Sequence, residues 1–165
     1  MDIYILRHGD ANSDTKKMID DSKRPLTEAG IKEIENVSKL FTELEIQIAR
    51  IYSSPLLRAK QSAKIIQKFQ KKAEMLEIAE LKPEGIPGEA CKKIASDSSA
   101  VLVVGHNPLL VEIINYVTSS DKQQTCHISL KTGGLAKIKT TAIEPQLQGH
   151  LEWLLTPKMA RKISK

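Results

Sequence analysis

Ile3-Tyr4-Ile5-Leu6-Arg7-His8-Gly9-Asp10 is the stretch on which the reading of this chain turns. Its first half is a short apolar run, the pattern of a buried strand. Its second half stops that strand at a cation, an imidazole and a glycine. Such an ending does little for packing. It presents polar groups at the edge of a sheet.

A second apolar run, Ala100-Val101-Leu102-Val103-Val104, shows no alternation and so marks a strand covered on both faces. It leads into Gly105-His106-Asn107-Pro108. Asn107 is expected to cap, and Pro108 to start, a helix bearing Leu109, Leu110, Ile113, Ile114 and Val117. Residues 49–53 read as a short strand. Ser54 and Pro55 then read as the cap and first turn of a helix lined by Leu56, Ala59, Ala63, Ile66 and Phe69, with Arg58 in its first turns. Residues 75–81 read as another strand, closing at Ala79-Glu80-Leu81.

The polar stretch at 10–25 reads as a loop. Thr27 after it is a good N-cap, and Leu26 is placed to pack on Ile31 as a hydrophobic staple. Ile31, Ile34, Val37, Phe41 and Leu44 follow at helical spacing. Gly30 weakens the start of that helix by about 1 kcal/mol relative to alanine. Pro83 to Gly88 is a loop, and 89–97 is a weaker helix. Residues 119–127 read as a polar loop. Residues 128–139 and 149–155 have strand-like composition and are expected to pair as an antiparallel edge. The expected domain covers 1–157, with a loose basic tail at 158–165.

This order of elements argues for an α/β domain: a three-layer α/β/α sandwich with a mostly parallel central sheet and an antiparallel edge strand. In such a sheet the strand ends share one edge, and ligands bind there. Arg7, His8 and His106 directly follow strands, and Arg58 comes one turn after another. The helices expected to begin at Ser54 and Asn107 aim their N-termini at the same edge, which favours anions. Two arginines, two histidines and two helix starts suit a tetrahedral dianion, and phosphate is the obvious one. His127 and His150 show no such placement.

Arg7-His8-Gly9 and Gly105-His106-Asn107-Pro108 resemble landmarks of the histidine phosphatase superfamily. Arg24-Pro25-Leu26-Thr27-Glu28-Ala29-Gly30 and Ser53-Ser54-Pro55-Leu56-Leu57-Arg58-Ala59 match it as well. The small size and the Arg7-His8-Gly9-Asp10-Ala11 version are similar to its SixA branch of phosphohistidine phosphatases. The resemblance implies a phosphoglycerate mutase-like fold and a phosphorylated nucleophile at His8. It also implies a phosphate pocket of Arg7, Arg58 and His106. Gly9, which permits close backbone approach, and Asn107 complete the expected phosphate site. Glu80 best matches the family's proton-donating carboxylate, although Glu80-Leu81-Lys82-Pro83-Glu84-Gly85 lacks the usual Gly-aromatic continuation. No cofactor and no metal are expected.

The chemistry agrees. To attack phosphorus, His8 must be neutral, and neighbouring cations lower its pKa. Arginines grip phosphoryl oxygens in pairs and neutralise charge in a loose transition state. A weak acid at Glu80 suits a leaving imidazole, whose conjugate acid has a pKa of about 6.5, better than an alkoxide. The substrate expected is therefore a phosphorylated histidine-phosphotransfer domain or a similar phosphoprotein. The alternatives are a phosphomonoesterase or mutase-like enzyme acting on small esters, and a non-catalytic basic module.

Composition narrows these classes. The 165 residues are 41% apolar and 27% charged, as in ordinary globular proteins. The net charge is +5, but only 4% of residues are aromatic, which speaks against base stacking on nucleic acid. No apolar run reaches the length of a membrane span. Asp2 and the early Arg7-His8 do not fit a secretory signal, so a cytoplasmic location is expected. The two cysteines, Cys91 and Cys126, lack metal-ligand spacing.

Overall fold

The computed structural model describes residues 1–12, 20–119 and 126–164. The elements are β1 (Asp2–Arg7), α1 (Glu28–Glu43), β2 (Arg50–Ser53), α2 (Leu57–Phe69) and β3 (Glu74–Glu77), then α3 (Pro87–Ile94), β4 (Val101–Gly105) and α4 (Leu109–Thr118), and last β5 (Leu135–Ala142), β6 (Gln148–Leu155) and α5 (Pro157–Ile163). The strands form one six-stranded sheet in the order β3-β2-β4-β1-β5-β6. The first four run parallel, β5 runs against β1, and β6 runs against β5. The architecture is the expected α/β sandwich, mostly parallel with an antiparallel border.

Period-two alternation sends successive side chains of each strand to opposite helix layers. Ile3, Ile5, Val101 and Val103 pack with Leu110 and Ile113 of α4 and Ala90 and Ile94 of α3. Tyr4, Leu6, Leu102 and Val104 pack with Ile34 and Phe41 of α1, Ala63 and Ile66 of α2, and Ala160 of α5. Every residue of β4 is buried, as its unbroken apolar run predicts. Each fully buried aliphatic side chain contributes on the order of 1.5–3 kcal/mol.

The register positions the site. Arg7 pairs with Gly105 between β1 and β4, and Ser53 pairs with Val104 between β2 and β4. The three strands therefore finish in one row. The His8 amide donates to the Gly105 carbonyl at 3.1 Å, and the Ser54 amide donates to Val104 at 2.9 Å.

Thr27 caps α1 as expected, its hydroxyl accepting from the Gly30 amide at 3.0 Å. Gly30 is required rather than merely tolerated. A Cβ there would lie 2.0 Å from the Asp10 carbonyl oxygen. The buried stripe of α1 is Ile34, Val37, Leu40 and Phe41, while Ile31 and Leu44 at its ends are 39% and 46% exposed. Phe69, expected on the buried side of α2, is 47% exposed at the last residue of the helix.

Four expectations are corrected. The strand reading of 75–81 stops at Glu77, and Ala79–Leu81 form a 3-10 turn. Ser54 is not the cap of α2, which starts later with Leu56 at the cap position. Asn107 is not the cap of α4; Pro108 holds that position without a side-chain bond. Residues 158–163 are not loose. They belong to α5, capped by Thr156, with Ala160 buried against the core. One small buried residue per helix leaves no apolar period to read. The polar loop at 119–127 falls mostly outside the described residues. Among the described residues, no helix is long and apolar enough to cross a membrane.

Candidate active site

At the row of strand ends, a cavity of about 430 Å³ is lined by Arg7, His8, Arg58, His106 and Asn107, together with Arg24, Asp10, Asp21, Thr132 and others. Residues separated by nearly a hundred positions meet there because β1, β2 and β4 are sheet neighbours.

His8 is buried, and its Nδ1 lies 2.7 Å from the Gly9 carbonyl oxygen. A carbonyl only accepts, so Nδ1 carries the proton and Nε2 keeps its lone pair. Burial lowers the pKa of His8 to about 4. The Gly9 contact opposes the shift, and Arg58, Arg7 and Arg24 add to it. At neutral pH the ring is an uncharged base with one free nitrogen.

His106 is also buried, with Nε2 2.9 Å from the Ser54 hydroxyl. Among the described residues its Nδ1 has no partner. Burial, followed by His8 and the three arginines, lowers its pKa to about 3. The two imidazole centroids are 4.9 Å apart.

Arg7 donates from Nη1 to the Leu130 carbonyl at 3.0 Å. Asn107 donates from Nδ2 to the same carbonyl at 2.9 Å. Arg58 is buried and donates to Asp21, from Nη1 to the backbone oxygen at 2.9 Å and from Nη2 to the carboxylate at 3.0 Å. Arg24 Nε stands 3.1 Å from the other Asp21 carboxylate oxygen. The Nε atoms of Arg7 and Arg58 are buried without partners among the described residues. Burial pulls the pKa of both guanidiniums down, yet arginine stays charged in proteins. The cavity thus concentrates positive charge and unpaired donors in a partly dry space, the condition that favours an anion with several oxygens.

The other two expected residues stand elsewhere. Gly9 does not line the cavity, and its amide donates to Ser62 Oγ at 3.2 Å, so it is not a free anion donor. Its role is close packing: a Cβ on Gly9 would lie 2.5 Å from the Gly30 carbonyl oxygen. Glu80 sits on the 3-10 turn, 3.8 Å from Lys93 Nζ, and is not among the cavity-lining residues. Among the described residues, the carboxylates that do line it are Asp10 and Asp21. Among the described residues, no group of three or more His, Cys, Asp and Glu side chains is placed to hold a metal ion.

Sequence reasoning missed Arg24, Asp21 and Ser54 as site residues. Arg24 and Ser54 lay inside motifs already singled out by resemblance. Asp21 had no local signal, since only the folded loop brings it onto Arg58.

The sequence profile described as "Histidine phosphatase superfamily (branch 1)" matches residues 3–93. The chain belongs to the histidine phosphatase superfamily. It is 26% identical over 171 residues to phosphohistidine phosphatase SixA of Escherichia coli (strain K12), covering 99% of this chain and 100% of that one. An uncharacterized protein of Picosynechococcus sp. (strain ATCC 27264 / PCC 7002 / PR-6) is 29% identical over 164 residues, covering 96% and 98%. The structure of the protein histidine phosphatase SixA complexed with tungstate superposes with a TM-score of 0.84 at 25% identity, covering 96% of this chain and 98% of that one. The alpha-ribazole phosphatase of Shigella flexneri shares the fold at a TM-score of 0.73 and 15% identity, covering 95% and 97%. Membership in the histidine phosphatase superfamily makes this chain a phosphatase, similar to the SixA-type members, and the His8 cavity is its candidate active site.

Proposed function

We propose that the protein removes phosphoryl groups from phosphohistidine on a protein, through a phosphoryl group carried transiently on His8 Nε2. The observation that supports this most is His8 itself. It is a neutral imidazole with Nδ1 tied to Gly9 and Nε2 unprotonated, in a cavity walled by Arg7, Arg24, Arg58 and His106.

In the first step the Nε2 lone pair forms a bond to phosphorus while the substrate P–N bond breaks. The electron pair of that bond leaves on the substrate imidazole, which takes up a proton from solvent. In the second step the water oxygen bonds to phosphorus while the His8–phosphorus bond breaks, its electron pair returns to Nε2, and inorganic phosphate leaves carrying the two protons of the water. Arg7 and Arg58 bind the equatorial oxygens, and His106 adds a donor. The arginines supply the positive charge, so the reading needs no metal.

The substrate class follows from the acid. Glu80 is not among the cavity-lining residues, Asp21 is committed to arginines, and Asp10 accepts the Thr27 hydroxyl at 2.8 Å. A leaving imidazole needs far less help from an acid than an alkoxide does. The tungstate complex of a SixA protein supports the same pocket chemistry, because tungstate is a tetrahedral oxyanion. The reading places the protein in the cytoplasm, in a signalling role, acting on a phosphorylated histidine-phosphotransfer domain or a similar phosphoprotein.

The test compares phosphate release from a phosphorylated histidine-phosphotransfer domain with release from small phosphate esters. Wild type is expected to favour the phosphoprotein. Acid-labile phosphate is expected on wild type and absent from His8→Ala, with Glu80→Gln retaining turnover. Faster ester cleavage that is lost in Glu80→Gln would favour a small-ester phosphatase.

A further inference from the structure

A second groove lies beside the active site rather than in it. It has a volume of about 760 Å³ and runs between α1, the start of α5 and the turn that follows Leu130. Five cations line it: Lys32 and Lys39 from α1, Lys131 from the turn, and Lys158 and Arg161 from α5. All five are exposed, and none is engaged in a salt bridge among the described residues. What distinguishes them is their grouping in one groove, since exposed Lys64, Lys68 and Lys71 are likewise in no salt bridge among the described residues, whereas Lys60, Lys92, Lys137 and Lys139 are paired. Of the two groove glutamates, Glu33 is already used: its Oε2 accepts the Asp10 amide at 2.9 Å.

The groove is joined to the nucleophile by one turn. Lys131 lines the groove, and the next residue, Thr132, lines the active-site cavity. Gly133 follows with φ +62°, and its amide donates to the carbonyls of Arg7 and His8 at 3.0 and 2.9 Å. A Cβ on Gly133 would press on Glu33 at 3.1 Å and on Pro157 at 3.3 Å. A single rigid turn therefore fixes the position of the cationic groove relative to the attacking imidazole.

We infer that this α1–α5 groove docks an acidic face of the phosphoprotein, holding it while its phosphohistidine enters the neighbouring cavity. This rests on the phosphohistidine reading above and adds where the substrate protein sits. Unpaired lysines give a long-range attraction that speeds encounter and weakens with salt. The lining includes no aromatic side chain, so base stacking on single-stranded nucleic acid has no platform there.

The experiment uses the full chain and two substrates: an acidic histidine-phosphotransfer domain phosphorylated on histidine, and a short uncharged peptide bearing phosphohistidine. The variants are Lys158→Glu with Arg161→Glu, and separately Lys39→Glu. Expected is a KM for the domain raised about tenfold in the double variant, with kcat retained and peptide turnover unchanged. Unchanged peptide turnover also reports that each variant is folded. Added salt is expected to raise the domain KM of wild type and to do so less in the double variant. Equal domain KM in wild type and both variants would overturn the docking inference and leave the phosphohistidine reading standing. Loss of peptide and domain turnover together in both variants would overturn it too, by assigning these residues to the fold. Failure of wild type on both substrates would overturn the phosphohistidine reading, and this inference with it. Competition by poly(U) as strong as by the acidic domain would assign the groove to nucleic acid and overturn the inference as well.

Discussion

The imidazoles of His8 and His106 lie 4.9 Å apart, centroid to centroid, with their planes tilted by 53°. One leans on a backbone carbonyl and the other on a serine hydroxyl. A carbonyl dictates the tautomer of its partner, whereas a hydroxyl can donate or accept. His8 is therefore locked, and His106 is set by Ser54. For His106 Nδ1 to donate to a phosphoryl oxygen, Ser54 must donate its proton to Nε2.

Ser54→Ala should weaken this donor without touching the nucleophile. Losing one positioning hydrogen bond of this kind costs about 0.5–1.5 kcal/mol, so kcat should fall roughly three- to tenfold. Steady-state kinetics on the phosphorylated domain, with acid-labile phosphate on His8 still detected, would check it. A variant with wild-type kcat would show that the Ser54 contact does not orient His106.

The two histidines make stability depend on pH. Their folded pKa values, about 4 for His8 and about 3 for His106, lie below the ordinary 6.5. Between those values the unfolded chain binds more protons than the folded one, so stability falls with acid. The loss should begin as pH drops below 6.5 and continue to about 4 and then 3. Its slope is about 1.4 kcal/mol per pH unit for each histidine. Urea unfolding across this range should show that slope reduced in His106→Gln. Imidazole NMR of the native protein should find both rings neutral at pH 5.5, and a charged ring there would contradict the burial argument.

Asp21 competes with the substrate for the arginines. Its carboxylate bridges Arg58 and Arg24, and its side chain is 62% exposed. Asp21→Asn keeps an acceptor for Arg58 and removes the negative charge. Phosphate should then bind about two- to fivefold more tightly, since an ion pair whose carboxylate is mostly solvated is worth on the order of 1 kcal/mol. Calorimetric titration with inorganic phosphate measures this directly. Weaker binding would mean that the charge of Asp21 is needed to hold the arginines in place.

Gly30→Ala should be among the most damaging single changes outside the cavity. The added methyl would sit 2.0 Å from the Asp10 carbonyl and 2.7 Å from its amide nitrogen, both backbone atoms. Relief requires moving the segment that carries His8. Overpacking of this kind costs about 1–3 kcal/mol. Thermal unfolding should show the loss together with reduced activity, and a neutral substitution would mean that the loop at Asp10 yields easily.

Much of this was readable in the chain. Apolar runs ending in Arg7-His8 and Gly105-His106 located both histidines, because a buried strand announces itself by composition. Thr27 was recognisable as a cap because capping is local. Glu80 could not be judged that way. Whether a residue at the end of a strand faces the cavity depends on where the strand stops, and this one stops at Glu77, so Glu80 turns toward Lys93. Gly9 was expected to allow close backbone approach, and the approach the fold shows is to Gly30, since what a glycine approaches is a tertiary matter.

The sequence by itself determined the alternation of strands and helices, the two strand-ending histidines and the charge they share with Arg7 and Arg58. These follow from periodicity and short-range propensity, which act over a few residues. Only the tertiary structure decided that Asp21 would bridge two arginines, that Ser54 would serve His106 instead of capping α2, and that α5 would line a cationic groove beside the site. Those relationships join segments far apart in the chain, and their energies exist only once the sheet has set the distances.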